Sequence, residues 1–138
     1  MQLRKNAKVE LIRSVPLFSH CSKKELAAIA SQADELALPE GRVLVRQGER
    51  GREFVVMIDG TADVHRDGRR INQLGPGEFL GEIALLSDAP RTATVTTTSQ
   101  VRILVLTDAA FKRVTTELPA VLRKLLTALS ERLHADSV

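Results

Sequence analysis

Gly81-Glu82-Ile83-Ala84-Leu85-Leu86, then Ser87-Asp88-Ala89, then Pro90-Arg91-Thr92-Ala93-Thr94-Val95 bring together residue types that suit an anion. A short helical turn opening directly after a glycine leaves backbone N–H groups without intrahelical partners, and the positive end of its dipole reinforces them. A phosphate fits such a seat. Pro90 has a fixed φ and no N–H, which stiffens the approach to Arg91, so a guanidinium can be held over the same helix start. Its planar fork matches two phosphate oxygens. Glu82, in the first turn, adds an acceptor for hydroxyl protons such as those of a sugar. Anion donors beside a carboxylate predict a sugar-phosphate ligand.

Such a site needs a rigid frame, and the glycine distribution says where to look for it. All 8 glycines lie between Gly41 and Gly81, while residues 1–40 and 82–138 contain none. A glycine-punctuated middle predicts short strands joined by tight turns, and Ala-, Leu-, Lys- and Glu-rich flanks predict helices. Ser22-Lys23-Lys24-Glu25 fits a capping box, and Leu26, Ile29, Ala30 and Ala33 space out one buried face, predicting a helix over 22–34. Val9, Leu11, Ile12 and Val15 predict a shorter helix that stops at Pro16. Strands are expected at 43–46, 54–58, 61–66 and 69–74, the last two joined by an Asp67-Gly68 hairpin turn, and again at 92–96 and 101–106. Thr107 is a candidate N-cap for a helix carrying Ala110, Phe111 and Val114 inward, and Pro119 opens another. On that last helix Leu122, Leu125, Leu126, Leu129 and Leu133 recur with helical spacing, which predicts a docked face.

Composition removes several function classes. At 138 residues, 43% hydrophobic and 27% charged, the chain has the makeup of one globular domain. Cys21 has no partner for a disulfide, and His20, His65 and His134 are too scattered in sequence for a metal site. A net charge of +3 without long basic runs, and the absence of Trp and Tyr, argue against nucleic-acid binding by this chain. No apolar run reaches the roughly 20 residues that span a bilayer. Met1-Gln2-Leu3-Arg4-Lys5 leads into no signal-like apolar segment, and the expectation is a cytoplasmic protein. No nucleophile with its base, and no paired acid and base, stands out, so catalysis is not expected.

The segment Leu80-Gly81-Glu82-Ile83-Ala84-Leu85-Leu86 and, three residues later, Pro90-Arg91-Thr92-Ala93-Thr94-Val95 resembles the phosphate-binding cassette of cyclic nucleotide-binding domains, the Glu-to-Arg spacing included. The similarity extends to Gln47-Gly48-Glu49, to Phe54-Val55-Val56-Met57-Ile58-Asp59-Gly60 and to the flanks, from about Pro16 to His134. It implies an α+β fold, a jelly-roll-like β-roll of about eight short antiparallel strands flanked by N- and C-terminal helices. One cyclic nucleotide-binding domain over 1–138 would comprise helices to residue 35, the roll over 36–106 with its cassette at 80–95, and helices over 107–138. The implied ligand is cAMP, with cGMP as the alternative. Residue by residue, Glu82 would accept the ribose 2′-OH, Arg91 would pair with the exocyclic phosphate oxygens, and the amides of Ile83 and Ala84 would cap the phosphate, beside Gly81, Thr92 and Ala93. A hydroxyl at Thr92 leaves the base open.

In the family the last helix closes over the base, which makes Leu126, Leu129, Arg132 and Leu133 candidate lid residues. Many relatives have an Asp at the position of Arg52, and that Asp orients the cassette arginine. Arg52 cannot accept a hydrogen bond, and two guanidiniums near one phosphate would repel. Glu53 is shifted by one residue, which in a strand turns it to the other face. The resemblance implies a sensor that acts on an effector domain or partner protein. Rival readings are the sensor arm of a catabolite activator-like transcription regulator without its helix-turn-helix, a ligand-free interaction domain, and a metal enzyme on a cupin-like roll.

Overall fold

The computed structural model describes residues 3–135, the side chains of residues 83, 84 and 132–135 excepted. Its contacts divide the chain into two units, the flanks up to Ala33 and from Ala109 onward, and the segment Asp34–Asp108 between them.

The flanking unit is helical. Helix α1 (Lys5–Arg13) buries Val9 and Ile12, and a 3-10 turn at Pro16–Phe18 then buries Leu17 and Phe18. Helix α2 (Lys23–Gln32) starts at the expected capping box: Ser22 Oγ accepts the Glu25 N–H at 3.2 Å and Glu25 Oε1 accepts the Ser22 N–H at 2.7 Å. Leu26, Ile29, Ala30 and Ala33 are all buried, as their spacing predicts. Helix α3 (Asp108–Glu117) follows directly on Thr107 and carries Ala110, Phe111 and Val114 inward. Helix α4 (Ala120–Ala135) follows Pro119 but turns a different stripe inward from the leucine one. Val121, Leu125 and Ala128 are buried, whereas Leu122 and Leu126 are 42% and 52% exposed. Polar contacts flank this buried stripe. Lys124 Nζ donates to Glu25 Oε1 at 2.5 Å, and Glu131 pairs with His20.

Among the described residues the other unit has eight strands: β1 (Asp34–Leu38), β2 (Val43–Val45), β3 (Glu53–Asp59), β4 (Ala62–Arg66), β5 (Arg69–Leu74), β6 (Phe79–Leu80), β7 (Thr94–Thr97) and β8 (Val101–Thr107). They form two four-stranded antiparallel sheets, ordered β1-β8-β3-β6 and β2-β7-β4-β5. Val55, Met57, Val101 and Ile103 from the first sheet meet Val45, Ala62, Leu74 and Val95 from the second in one core. The β4–β5 hairpin turns at Asp67 and Gly68, with φ of 53° and 80°, the doubly left-handed pair of a tight hairpin. The predicted strand at 92–96 begins later, at Thr94, because the chain at Arg91 is tied elsewhere. The Gly48 N–H donates to the Arg91 carbonyl and the Arg91 N–H to the Glu49 carbonyl, both at 2.8 Å.

Candidate functional site

These two main-chain bonds place Arg91, and its side chain is then only 8% exposed. Arg91 Nη2 donates to the Glu53 carbonyl at 2.6 Å and lies 3.8 Å from Glu53 Oε2. Nε is buried without a protein partner. Burial pushes the guanidinium's pKa down from its ordinary value, while Glu53 and Glu82 pull it back up. A buried cation with an unspent donor, drawn to two carboxylates, is a group prepared for an anion.

Two glycines make room for it. A Cβ on Gly51 or on Gly81 would fall inside the Arg91 guanidinium. At Gly81 the backbone also has φ of 79°, a left-handed conformation that glycine adopts without strain. Directly after Gly81 the chain forms the expected helical turn, a 3-10 turn at Glu82–Leu85. The guanidinium therefore lies over the start of that turn.

A cavity of about 390 Å³ opens between these groups and the second sheet, a volume suited to a small ligand. Gly81, Glu82, Arg91, Thr92 and Ala93 all line it. Its apolar wall includes Val45, Val95 and Val64, which face one another across β2, β7 and β4, together with Leu74, Phe79 and Leu80. The lining thus joins charged groups, Glu82, Arg91 and Arg66, to an aliphatic wall, as an amphipathic ligand requires.

The structure thus brings Gly81, Glu82, Arg91, Thr92 and Ala93 together. Ile83 and Ala84 belong to the 3-10 turn, their side chains outside the described residues. Of the lid candidates, Leu126 is exposed and Leu129 half-buried, and the side chains of Arg132 and Leu133 lie outside the described residues. The expected crowding of two guanidiniums is corrected: Arg52 is 67% exposed and its Nη1 lies 3.9 Å from Asp108 Oδ2. Glu53 is corrected too. It opens β3 paired with Thr107, and alternation holds, with Arg52 turned to Asp108 and Glu53 to Arg91; its strongest hold on Arg91 comes from its carbonyl, which side-chain alternation does not govern. Sequence reasoning missed Gly51 and Arg66. Arg66 lines the cavity and donates from Nε to the Thr92 carbonyl at 3.0 Å; its signal was its position two residues beyond Val64 on one strand.

The cyclic nucleotide-binding domain family has a sequence model that matches residues 35–117, and the chain belongs to this family. It is 32% identical over 124 residues to the cAMP-dependent protein kinase regulatory subunit of Mycosarcoma maydis, covering 83% of this chain and 24% of that protein. With the corresponding subunit of Dictyostelium discoideum it shares 29% identity over 133 residues, 91% of this chain and 41% of that protein. The chain therefore spans well under half the length of these relatives. Among solved structures, the N-terminal domain of a transcriptional regulator from Streptomyces coelicolor A3(2) superposes with a TM-score of 0.83 at 30% identity, covering 92% of this chain and 94% of that one. The Thermus thermophilus catabolite activator protein gives a TM-score of 0.70 at 27% identity, covering 88% and 59%. These proteins share the β-roll of two antiparallel sheets with flanking helices. The described residues contain no helix long and apolar enough to cross a membrane.

Proposed function

We propose that the chain is a single non-catalytic, cytoplasmic sensor domain that binds cAMP, with cGMP as the alternative, and passes the binding on to an effector through its flanking helices. The observation that carries this reading is the buried Arg91 guanidinium, its Nε without a protein partner, in the same cavity as Gly81 and Glu82. In this reading Arg91 takes the exocyclic phosphate oxygens and the amides of Ile83 and Ala84 cap them. Glu82 accepts the ribose 2′-OH, Thr92 and Ala93 border the phosphate, and the base extends along Val45, Val95 and Val64. Leu126, Leu129, Arg132 and Leu133 are the lid candidates on α4.

The names of the kinase regulatory subunits favour cAMP. The Streptomyces domain supports a second reading, in which the chain is the sensor arm of a transcription regulator. Titration calorimetry tests the shared core of both. Replacing Arg91→Ala should weaken cyclic-nucleotide binding by about 2 to 5 kcal/mol, since it leaves a buried phosphate charge unpaired. Equal affinity in the variant would remove the proposal.

A further inference from the structure

Gln47 opens the stretch Gln47-Gly48-Glu49, whose last two residues tie down the main chain of Arg91. A β-turn builds it: the Glu49 N–H donates to the Arg46 carbonyl at 3.2 Å, and Gly48, third in the turn, has φ of 85°. The Gln47 side chain then reaches the tip of the β4–β5 hairpin. There Gln47 Nε2 donates to Asp67 Oδ1 at 2.8 Å, and the Asp67 N–H donates back to Gln47 Oε1 at 2.9 Å. On its main-chain side, the Gln47 N–H donates to Thr94 Oγ1 at 2.9 Å. One residue thus fastens the hairpin tip to the cassette strand.

Both fastened parts line the cavity, Val64, Arg66 and Leu74 from the hairpin and Arg91, Thr92, Ala93 and Val95 from the cassette side. The β4–β7 ladder ends at His65 and Thr94. Past that point, where Arg91 and Thr92 lie, side chains take over the joining: Arg66 Nε bonds the Thr92 carbonyl, and Gln47 bonds Asp67. We propose that Gln47 is a positioning residue of the ligand site, holding the hairpin tip against the cassette so that the cavity keeps its binding shape. The proposal rests on the cyclic-nucleotide reading of the cavity. With the clip open, the binding-competent fraction falls, and apparent affinity falls with it.

The test is calorimetric titration with cAMP and with cGMP of wild type, Gln47→Ala, Gln47→Glu, Asp67→Asn and the double variant Gln47→Glu with Asp67→Asn. Titrations run well below each variant's thermal midpoint, so a role in stability alone leaves affinity where it was. Gln47→Ala removes both side-chain bonds without changing the charge, and affinity should fall about ten-fold, the scale of the lost hydrogen bonding. Gln47→Glu sets carboxylate against carboxylate and should lose at least as much. Asp67→Asn keeps an acceptor for Gln47 and should bind as wild type does. The double variant exchanges donor for acceptor across the same pair, and should return affinity to within about two-fold of wild type. Wild-type affinity in Gln47→Ala, or a double variant as weak as Gln47→Glu, overturns the role of Gln47 and leaves the cyclic-nucleotide site standing. Wild type that binds neither nucleotide overturns the site itself.

Discussion

At Gly81 a left-handed backbone, which strains most side chains, coincides with the face of a guanidinium that leaves a Cβ no room. Gly51 meets the same guanidinium from another side. Gly81→Ala therefore forces Arg91 out of its seat and strains the entry to the 3-10 turn, at about 1 kcal/mol for the backbone alone. The expected result is a cyclic-nucleotide affinity at least about ten-fold weaker by calorimetry, the equivalent of some 1.4 kcal/mol. Affinity equal to wild type would mean that Arg91 does not need this position. That Gly81, Glu82 and Arg91 meet around one cavity was readable in sequence because each is a residue type with a narrow use at a fixed spacing. The part played by Glu53 was not, since a main-chain carbonyl leaves no trace in residue identity.

Among the elements, α2 was legible to its cap because Ser22 and Glu25 act locally on one another. Strand β1, Asp-Glu-Leu-Ala-Leu, was not, being built from residues that favour helices and held as a strand by its pairing with β8. The rotation of α4 was misjudged for a related reason: five leucines outline a stripe, but the face that packs inward is Val121, Leu125 and Ala128, flanked by the contacts of Lys124 with Glu25 and of Glu131 with His20. The Glu25–Lys124 pair carries a pH signature. Burial would raise the Glu25 carboxyl's pKa, but hydrogen bonds from Lys124 and Ser22 outweigh it and hold the pKa below the ordinary 4.5. The folded state thus binds fewer protons than the unfolded one in acid, so the contribution of Glu25 is whole above about 4.5 and fades as pH falls through the lower folded value. Glu25→Gln should lose about 1.5 to 3 kcal/mol at pH 7, towards the lower end because Lys124 can reach water. Urea unfolding should show this gap closing in acid. A gap constant down to pH 3 would deny the linkage.

For the molecule as a whole, the cavity belongs to the strand unit, so a ligand held there stabilises that unit by mass action. Saturation with cAMP or cGMP at 100 times Kd adds about 2.7 kcal/mol to folding, readable as a raised thermal midpoint. A midpoint indifferent to both nucleotides at millimolar concentration would favour the ligand-free interaction domain instead. At this scale the glycine pattern marked β2 to β6, which lie within Gly41–Gly81, but not β1, β7 and β8, which lie in the glycine-free flanks. One consequence follows from the carbonyl of Glu53 that grips the cassette arginine. Every amino acid brings the same oxygen to that spot, so this hydrogen bond does not depend on the side chains at positions 52 and 53, whereas the added pull of the Glu53 carboxylate does. In this chain the arginine at position 91 is thus aimed without any acid at position 52.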